Sequence, residues 1–212
     1  MPVDLSALVA PDHTAVVTVE VQNGVVGDAA AMPALAHAVA AAGTLERIGE
    51  LLRAARRHGV AVIHCTFASL PGGFGTNRNA RLFARSRSRG SPPPGYSDPH
   101  PAIGATSDDI VLPRAHGVSP MTDASLDAVL RNEGITTIVA TGVSINVALL
   151  GLAFEGVNRG YQVVLPRDAT AGVDDAYVDA VYANTLSLIA AVTTTAELID
   201  LWNGSADDAS GS

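Results

Sequence analysis

The chain of 212 residues contains no lysine; all 13 of its basic side chains are arginine. Chemistry through a lysine amine, as a base or a Schiff-base former, is therefore excluded. A single cysteine, Cys65, rules out an internal disulfide and suits a reducing compartment. The amino-terminal "MPVDLSALVAPDHT" has an early Asp and no basic leader, so a cytoplasmic location is expected. No apolar run reaches the ~20 residues that span a bilayer, which argues against a membrane partner. Positive charge is scarce as well: the formal net charge is −8, whereas nucleic-acid phosphates call for a basic face. Aromatics make up only 4%, so the core must come from Ala, Val, Leu and Ile. What is present is 48% hydrophobic and 16% charged residues, the balance of one compact globular domain.

Strand-like and helix-like runs alternate. "AVVTVEV" (15–21), "VAVIHC" (60–65), "DIVLP" (109–113), "ITTIVATG" (135–142) and "YQVVLP" (161–166) read as strands, with "VTTT" (192–195) as a short last one. Between them, "TLERIGELLRAARRHG" has helical spacing, with Thr44 as N-cap and Gly59 just past its end. "TDASLDAVLRNEG", capped by Thr122 and stopped by Gly134, "DAYVDAVYANTLSLIAAV" and "AELIDLWN" follow the same period. Near-continuous apolar strands alternating with helices predict a three-layer α/β/α fold around a mostly parallel, about six-stranded Rossmann-like sheet. Right-handed crossovers then bring the carboxyl ends of the strands to one edge, where ligands bind. Cys65, closing an apolar strand, reads as a buried thiol.

Residues 66–108 break the pattern. They are rich in Gly, Pro, Ser and Arg and too long for an ordinary connection. Both a disordered insertion and an ordered lid or subunit contact fit; the apolar anchors Phe67, Phe74, Leu82, Phe83 and Tyr96 favour partial order. The arginines between Arg78 and Arg89 read as a solvated or subunit-facing surface. Residues 1–203 are thus one domain, and the polar 204–212 a mobile tail.

Three strand ends carry chemistry: Glu20 in "VEVQNG", Arg114 in "VLPRAHGVSP", and the turn "TGVSINVA" with its helix amino terminus. These segments resemble the isochorismatase-like cysteine hydrolases. "AVVTVEVQNG" is similar to that family's first-strand motif, a hydrophobic run and then Asp-Met-Gln-Asn. "DIVLPRAHGVSP" resembles its third-strand segment, where a lysine precedes a small, serine-containing stretch. "TIVATGVSINVALLGLAFEGVNRGYQVVLPRDATAG" resembles its longest signature: Thr-Gly-Val, four residues, the nucleophilic Cys, then a helix ending at Gly-Tyr and a strand ending in Asp-Ala. The resemblance spans roughly residues 14–200.

By that resemblance Glu20 stands at the family's aspartate, Arg114 at its lysine and Ala148 at its nucleophilic cysteine. An alanine methyl cannot attack a carbonyl, so the cysteine-amidase reading fails here. A lone substitution would account for Ala148 but not for Glu20 and Arg114 as well. The family also implies a route without a thiol, in which a carboxyl group protonates a vinyl ether and water completes the cleavage. Glu20 fits that part if burial favours its neutral form, while Arg114 pulls the other way. Gln22, Val143, Ser144 and Asn146 are the candidate substrate-binding residues, with backbone N–H groups at Ser144 and Ala148 as oxyanion donors.

Two functions follow. One is a hydrolase of a small, anionic metabolite, with Glu20 as acid or base and Arg114 holding the substrate. The other is a silent relative that binds a small ligand or serves as a scaffold, with Glu20 and Arg114 as a structural ion pair. Ser144 reads as a cap, not a nucleophile. "HCTFAS" lacks the Asp-x-His of the family's nicotinamidase branch, "DPHP" (98–101) reads as a turn, and His116 as a surface residue. No metal and no cofactor are expected. The resemblance implies a homodimer or homotetramer.

Overall fold

The computed structural model describes residues 4–28, 30–83, 92–122 and 124–210, with backbone alone at 124 and 205–210. Seven strands form one sheet: β1 (Thr14–Val19), β2 (Ala61–Phe67), β3 (Ile110–Arg114), β4 (Thr137–Val143), β5 (Gln162–Pro166), β6 (Thr170–Ala171) and β7 (Ala191–Thr193). Their order is β3-β2-β1-β4-β5-β7, with the two-residue β6 beside β4. Every named pairing is parallel, including β1–β2, β1–β4 and β4–β5. All six expected strands are present within a few residues of their expected ends; β6 is an addition too short to show a period.

The helices are α1 (Leu5–Leu8), α2 (Asn23–Val26), α3 (Pro33–Ala41), α4 (Thr44–Arg57), α5 (Ala124–Asn132), α6 (Leu150–Asn158), α7 (Asp175–Val181) and α8 (Thr195–Ser210). A π-helical turn, Ile145–Leu149, leads into α6, and another, Tyr182–Leu186, extends α7. Strand alternation sorts the core into two layers. Val16, Val62, Val139 and Val164 pack against Leu35 of α3, Leu51 and Leu52 of α4, and Leu198 and Trp202 of α8. Val17, Ile63, Ile138 and Val163 face the other way, onto Leu126 and Leu130 of α5, Leu152 of α6 and Val181 of α7. Both faces of each central strand are dry, which is why these strands are apolar throughout.

Two expectations about helix ends are corrected. Thr44 is not the N-cap of α4: Gly43 caps it at φ 64°, a left-handed conformation that suits glycine, and Thr44 is the buried first helical residue. The last helix, read only as far as Asn203, runs on in its backbone to Ser210. One glycine costs a helix only about 1 kcal/mol, and Ala and Asp neighbours allow it to continue. Residues 211–212 lie outside the described residues. α3 was unread because alanines on all its faces leave no apolar stripe.

The described parts of the long connection make specific contacts with the rest of the fold. Phe83 is buried and stacks on Phe67, centroids 6.4 Å apart, and Asn77 Oδ1 accepts the Gly117 N–H at 2.7 Å. Phe74, read as an anchor, is 79% exposed. Residues 84–91, including Arg85, Arg87 and Arg89, lie outside the described residues; Arg78 and Arg81 are exposed.

Candidate active site

The strand order reverses between β1 and β4, so their carboxyl ends splay at a topological switch point. Gly142 makes the approach possible. Its φ is 103°, and a Cβ there would sit 2.4 Å from the Val19 carbonyl oxygen and 2.6 Å from Val21 Cγ2. Glu20 stands on the β1 side of this opening. Its backbone N–H donates to the Cys65 carbonyl at 2.8 Å, and its φ of 55° turns the chain out of the strand. A non-glycine residue holds that conformation at a cost of about 1 kcal/mol, a cost typically met at functional positions.

Arg114, the last residue of β3, pairs in register with Phe67 of β2. Its guanidinium lies over the Phe67 ring, 5.6 Å from the centroid. Nη2 donates to Glu20 Oε1, forming an ion pair in which the arginine side chain is 2% and the glutamate 17% exposed. The contact is single. Nε and Nη1 are buried with no acceptor among the described residues, and Glu20 Oε2 takes part in none of their hydrogen bonds. The arrangement is therefore neither a dry, lone carboxyl nor a closed two-pronged ion pair.

The other side of the opening is the turn after β4. The Val143–Ser144 peptide is cis, Val143 is buried, and Ser144 and Asn146 are half-buried. Ser144 occupies the N-cap position, but its hydroxyl makes no capping bond, which corrects the expected role. The Leu149 N–H instead reaches the Ser144 carbonyl at 3.1 Å, the wide spacing of a π turn. Ala148 is 2% exposed and shares a core cluster with Val19 and Cys65.

Gln22 does something other than bind substrate. It is fully buried; Nε2 donates to the carbonyls of Phe67 (2.8 Å) and Tyr96 (3.2 Å), while Oε1 accepts the Phe67 N–H at 2.6 Å. All its polar atoms are thus spent on tying β1 to the end of β2 and to the 92–100 segment. Asn23 and Gly24 add to this clamp through Gly95 and Tyr96. The platform Phe67–Phe83 under Arg114 had been read only as loop anchors. His116 is exposed. In "DPHP" the Asp98 N–H closes a turn onto Gly95 and His100 Nδ1 accepts the Ala102 N–H, so both are local structure. Among the described residues no cluster of three or more His, Cys, Asp or Glu could hold a metal.

A second buried ionic chain lies off this edge. Arg56 of α4 grips Asp109 with two bonds of 2.9 and 2.7 Å; Asp109 Oδ2 also meets His64 Nε2 at 3.1 Å, and His64 Nδ1 meets Thr18 Oγ1 at 2.8 Å. Burial pushes His64 below its ordinary value of 6.5, against the pull of Asp109. Burial pushes the Asp109 carboxyl up, but the bonds from Arg56, the Thr106 N–H and His64 outweigh it and hold it at about 2. The neutral ring therefore carries its proton on Nε2, toward the carboxylate, and accepts the Thr18 hydroxyl at Nδ1.

An isochorismatase domain model matches residues 14–197. The chain belongs to the isochorismatase family. Its structure is similar to that of a cysteine hydrolase from Pseudomonas syringae pv. phaseolicola (27% identity, 92% of this chain and 94% of that one, TM-score 0.79). It is likewise similar to an isochorismatase family protein from Burkholderia thailandensis (25% identity, 91% and 96%, TM-score 0.73). N-carbamoylsarcosine amidase from Thermoplasma acidophilum shares the fold (21% identity, 86% and 96%, TM-score 0.67). No curated protein matches the chain in sequence. Within this isochorismatase-family protein, no helix among the described residues is long and apolar enough to cross a membrane.

Proposed function

We propose that this isochorismatase-family protein hydrolyses a small anionic metabolite without a cysteine nucleophile, using Glu20 as the acid and base. The observation that carries the reading is the half-used guanidinium: Arg114 gives Glu20 one bond and keeps Nε and Nη1 buried without an acceptor. A purely structural pair would be expected to close both prongs, because each buried donor left unbonded costs about 1–3 kcal/mol. Glu20 keeps Oε2 for proton transfer at the switch point, where ligands of such sheets bind. In the cycle, Glu20 gives its proton to the group being cleaved and recovers one from the attacking water, so the protein ends as it began. Ala148 contributes shape and no electron pair. Ser144 and Asn146, half-buried across the opening, line the substrate with neutral polar groups.

The silent-relative reading draws on the same pair seen as structure alone. A thermal-shift screen with small carboxylates and carboxylated vinyl ethers, followed by product analysis on each hit, separates the two. Turnover that falls about 10²–10⁴-fold in Glu20→Gln supports the hydrolase; turnover unchanged in that variant removes Glu20 from the chemistry. The reading also keeps a homo-oligomer. Phe154 and Val157 on α6 and Leu188 beyond α7 leave apolar surface exposed on one layer, and light scattering tests it.

A further inference from the structure

We infer that anion binding at Arg114 drives a proton onto Glu20, so that the ligand's own carboxylate arms the acid. The inference rests on the proposed reading of this site and adds the coupling between its two halves.

The guanidinium of Arg114 is a fork only partly used. Nη2 carries two protons, and Glu20 Oε1 takes one of them. Whichever it takes, the other is left, and it forms a two-pronged edge either with Nη1 or with Nε. Both of these are buried without an acceptor among the described residues. A two-pronged edge of this shape matches a planar carboxylate. A small monocarboxylate is thus the ligand class that satisfies the donors that Glu20 leaves unbonded.

Occupying that edge changes the charge balance. Before binding, one guanidinium faces one carboxylate. Afterwards it faces two, in a place where the arginine side chain is only 2% exposed. Among the described residues, Glu20 and Arg114 form no ion pair other than the one between them. Among the described residues, β2 supplies Phe67 and the Cys65 carbonyl, neither of them charged, and the turn after β4, residues 143–149, carries no charged side chain. His116, two residues beyond Arg114, is exposed. Two carboxylates sharing one site do not both stay ionised, and the pair titrates as a unit.

The proton goes to Glu20 and not to the ligand. The ligand holds two donors, whereas Glu20 holds one and has Oε2 unbonded. At 17% exposure the glutamate side chain still reaches water, from which the proton comes. Binding of the anion thereby converts Glu20 from a carboxylate acceptor into an acid that faces the bound molecule.

The test is titration calorimetry at neutral pH in two buffers of different ionisation enthalpy, with acetate, pyruvate and benzoate as probes and benzamide as the uncharged control. The coupling predicts uptake approaching about one proton per carboxylate bound, no binding of benzamide, and in Glu20→Gln equal or tighter carboxylate binding with no uptake. Carboxylate binding with no uptake by the wild-type protein overturns the coupling and leaves the anion-holding role of Arg114 standing. Uptake that persists in Glu20→Gln overturns it by placing the proton elsewhere. Failure of every carboxylate to bind the wild-type protein overturns both the coupling and the proposed role of Arg114. Should Glu20→Gln not fold, the two-buffer comparison on the wild-type protein decides alone.

Discussion

Gln22 holds Phe67 at both ends of its peptide unit, accepting its N–H at 2.6 Å and donating to its carbonyl at 2.8 Å. Phe67 in turn lies under the Arg114 guanidinium, so a residue at the end of β1 sets the platform for one at the end of β3. Gln22→Leu would strip three bonds and leave the Phe67 N–H unmatched, while the Phe67 carbonyl keeps the Ser97 hydroxyl and the Tyr96 carbonyl keeps the Gly24 N–H. A buried group left unpaired costs about 1–3 kcal/mol, and the loss is expected to fall in that range. Urea unfolding of the two proteins measures it; a difference under about 0.5 kcal/mol would show that the clamp is not buried as described.

Gly24 offers an independent probe of the same loop. A Cβ there would lie 2.1 Å from Tyr96 Cε2 and 2.3 Å from Cζ, inside the ring's own volume. Gly24→Ala therefore displaces Tyr96 and loosens the 92–100 segment, whose backbone is bonded to Asn23 and Gly24. Limited proteolysis should cut this segment faster in the variant, while the sheet, followed by far-ultraviolet circular dichroism, stays intact. Equal cutting rates would contradict the packing.

The fold was legible because its strands are made of β-branched runs buried on both faces, a pattern that survives without any knowledge of partners. Glu20 and Arg114 could be placed at strand ends because those ends are fixed once the strands are, whereas Ala148 was singled out only through the family resemblance. What was not legible depended on what lies opposite. Gln22 at a strand end reads the same whether it meets a ligand or the 92–100 segment, and its role appears only with Phe67 and Tyr96 in place. His64 sits inside an apolar run, and its partners Asp109 and Arg56 come from distant parts of the chain. Thr44 looked like a cap because a hydroxyl there is common, but Gly43 adopts the left-handed turn and moves the helix start back.

The Arg56–Asp109–His64–Thr18 chain makes stability fall in acid. His64 is lowered in the folded state, so its contribution is complete above 6.5 and is lost as pH falls below that value. Asp109 is lowered from 3.8 to about 2, so its contribution is complete above 3.8 and is lost over that lower interval. Both act in one direction, and the urea midpoint should drop from pH 7 to pH 5. His64→Gln, which cannot titrate, should flatten that drop. An unchanged pH profile in the variant would remove His64 as its origin.

Ala148→Cys restores a sulfur without restoring an amidase. The position is 2% exposed in a cluster with Val19 and Cys65, and Glu20 is bound to Arg114. A thiol buried in that apolar cluster is held in its neutral, unreactive form, and amide hydrolysis by the purified variant should stay at background. Robust amidase activity in this single variant would show that Glu20 is available to the 148 position.

The most direct measurement is a crystal structure of the protein with its best-binding carboxylate. The account predicts a carboxylate oxygen about 2.7–3.1 Å from Nη1 or Nε of Arg114, with Glu20 retained on Nη2. A carboxylate bound elsewhere, with Glu20 closing both prongs of the guanidinium, would contradict it.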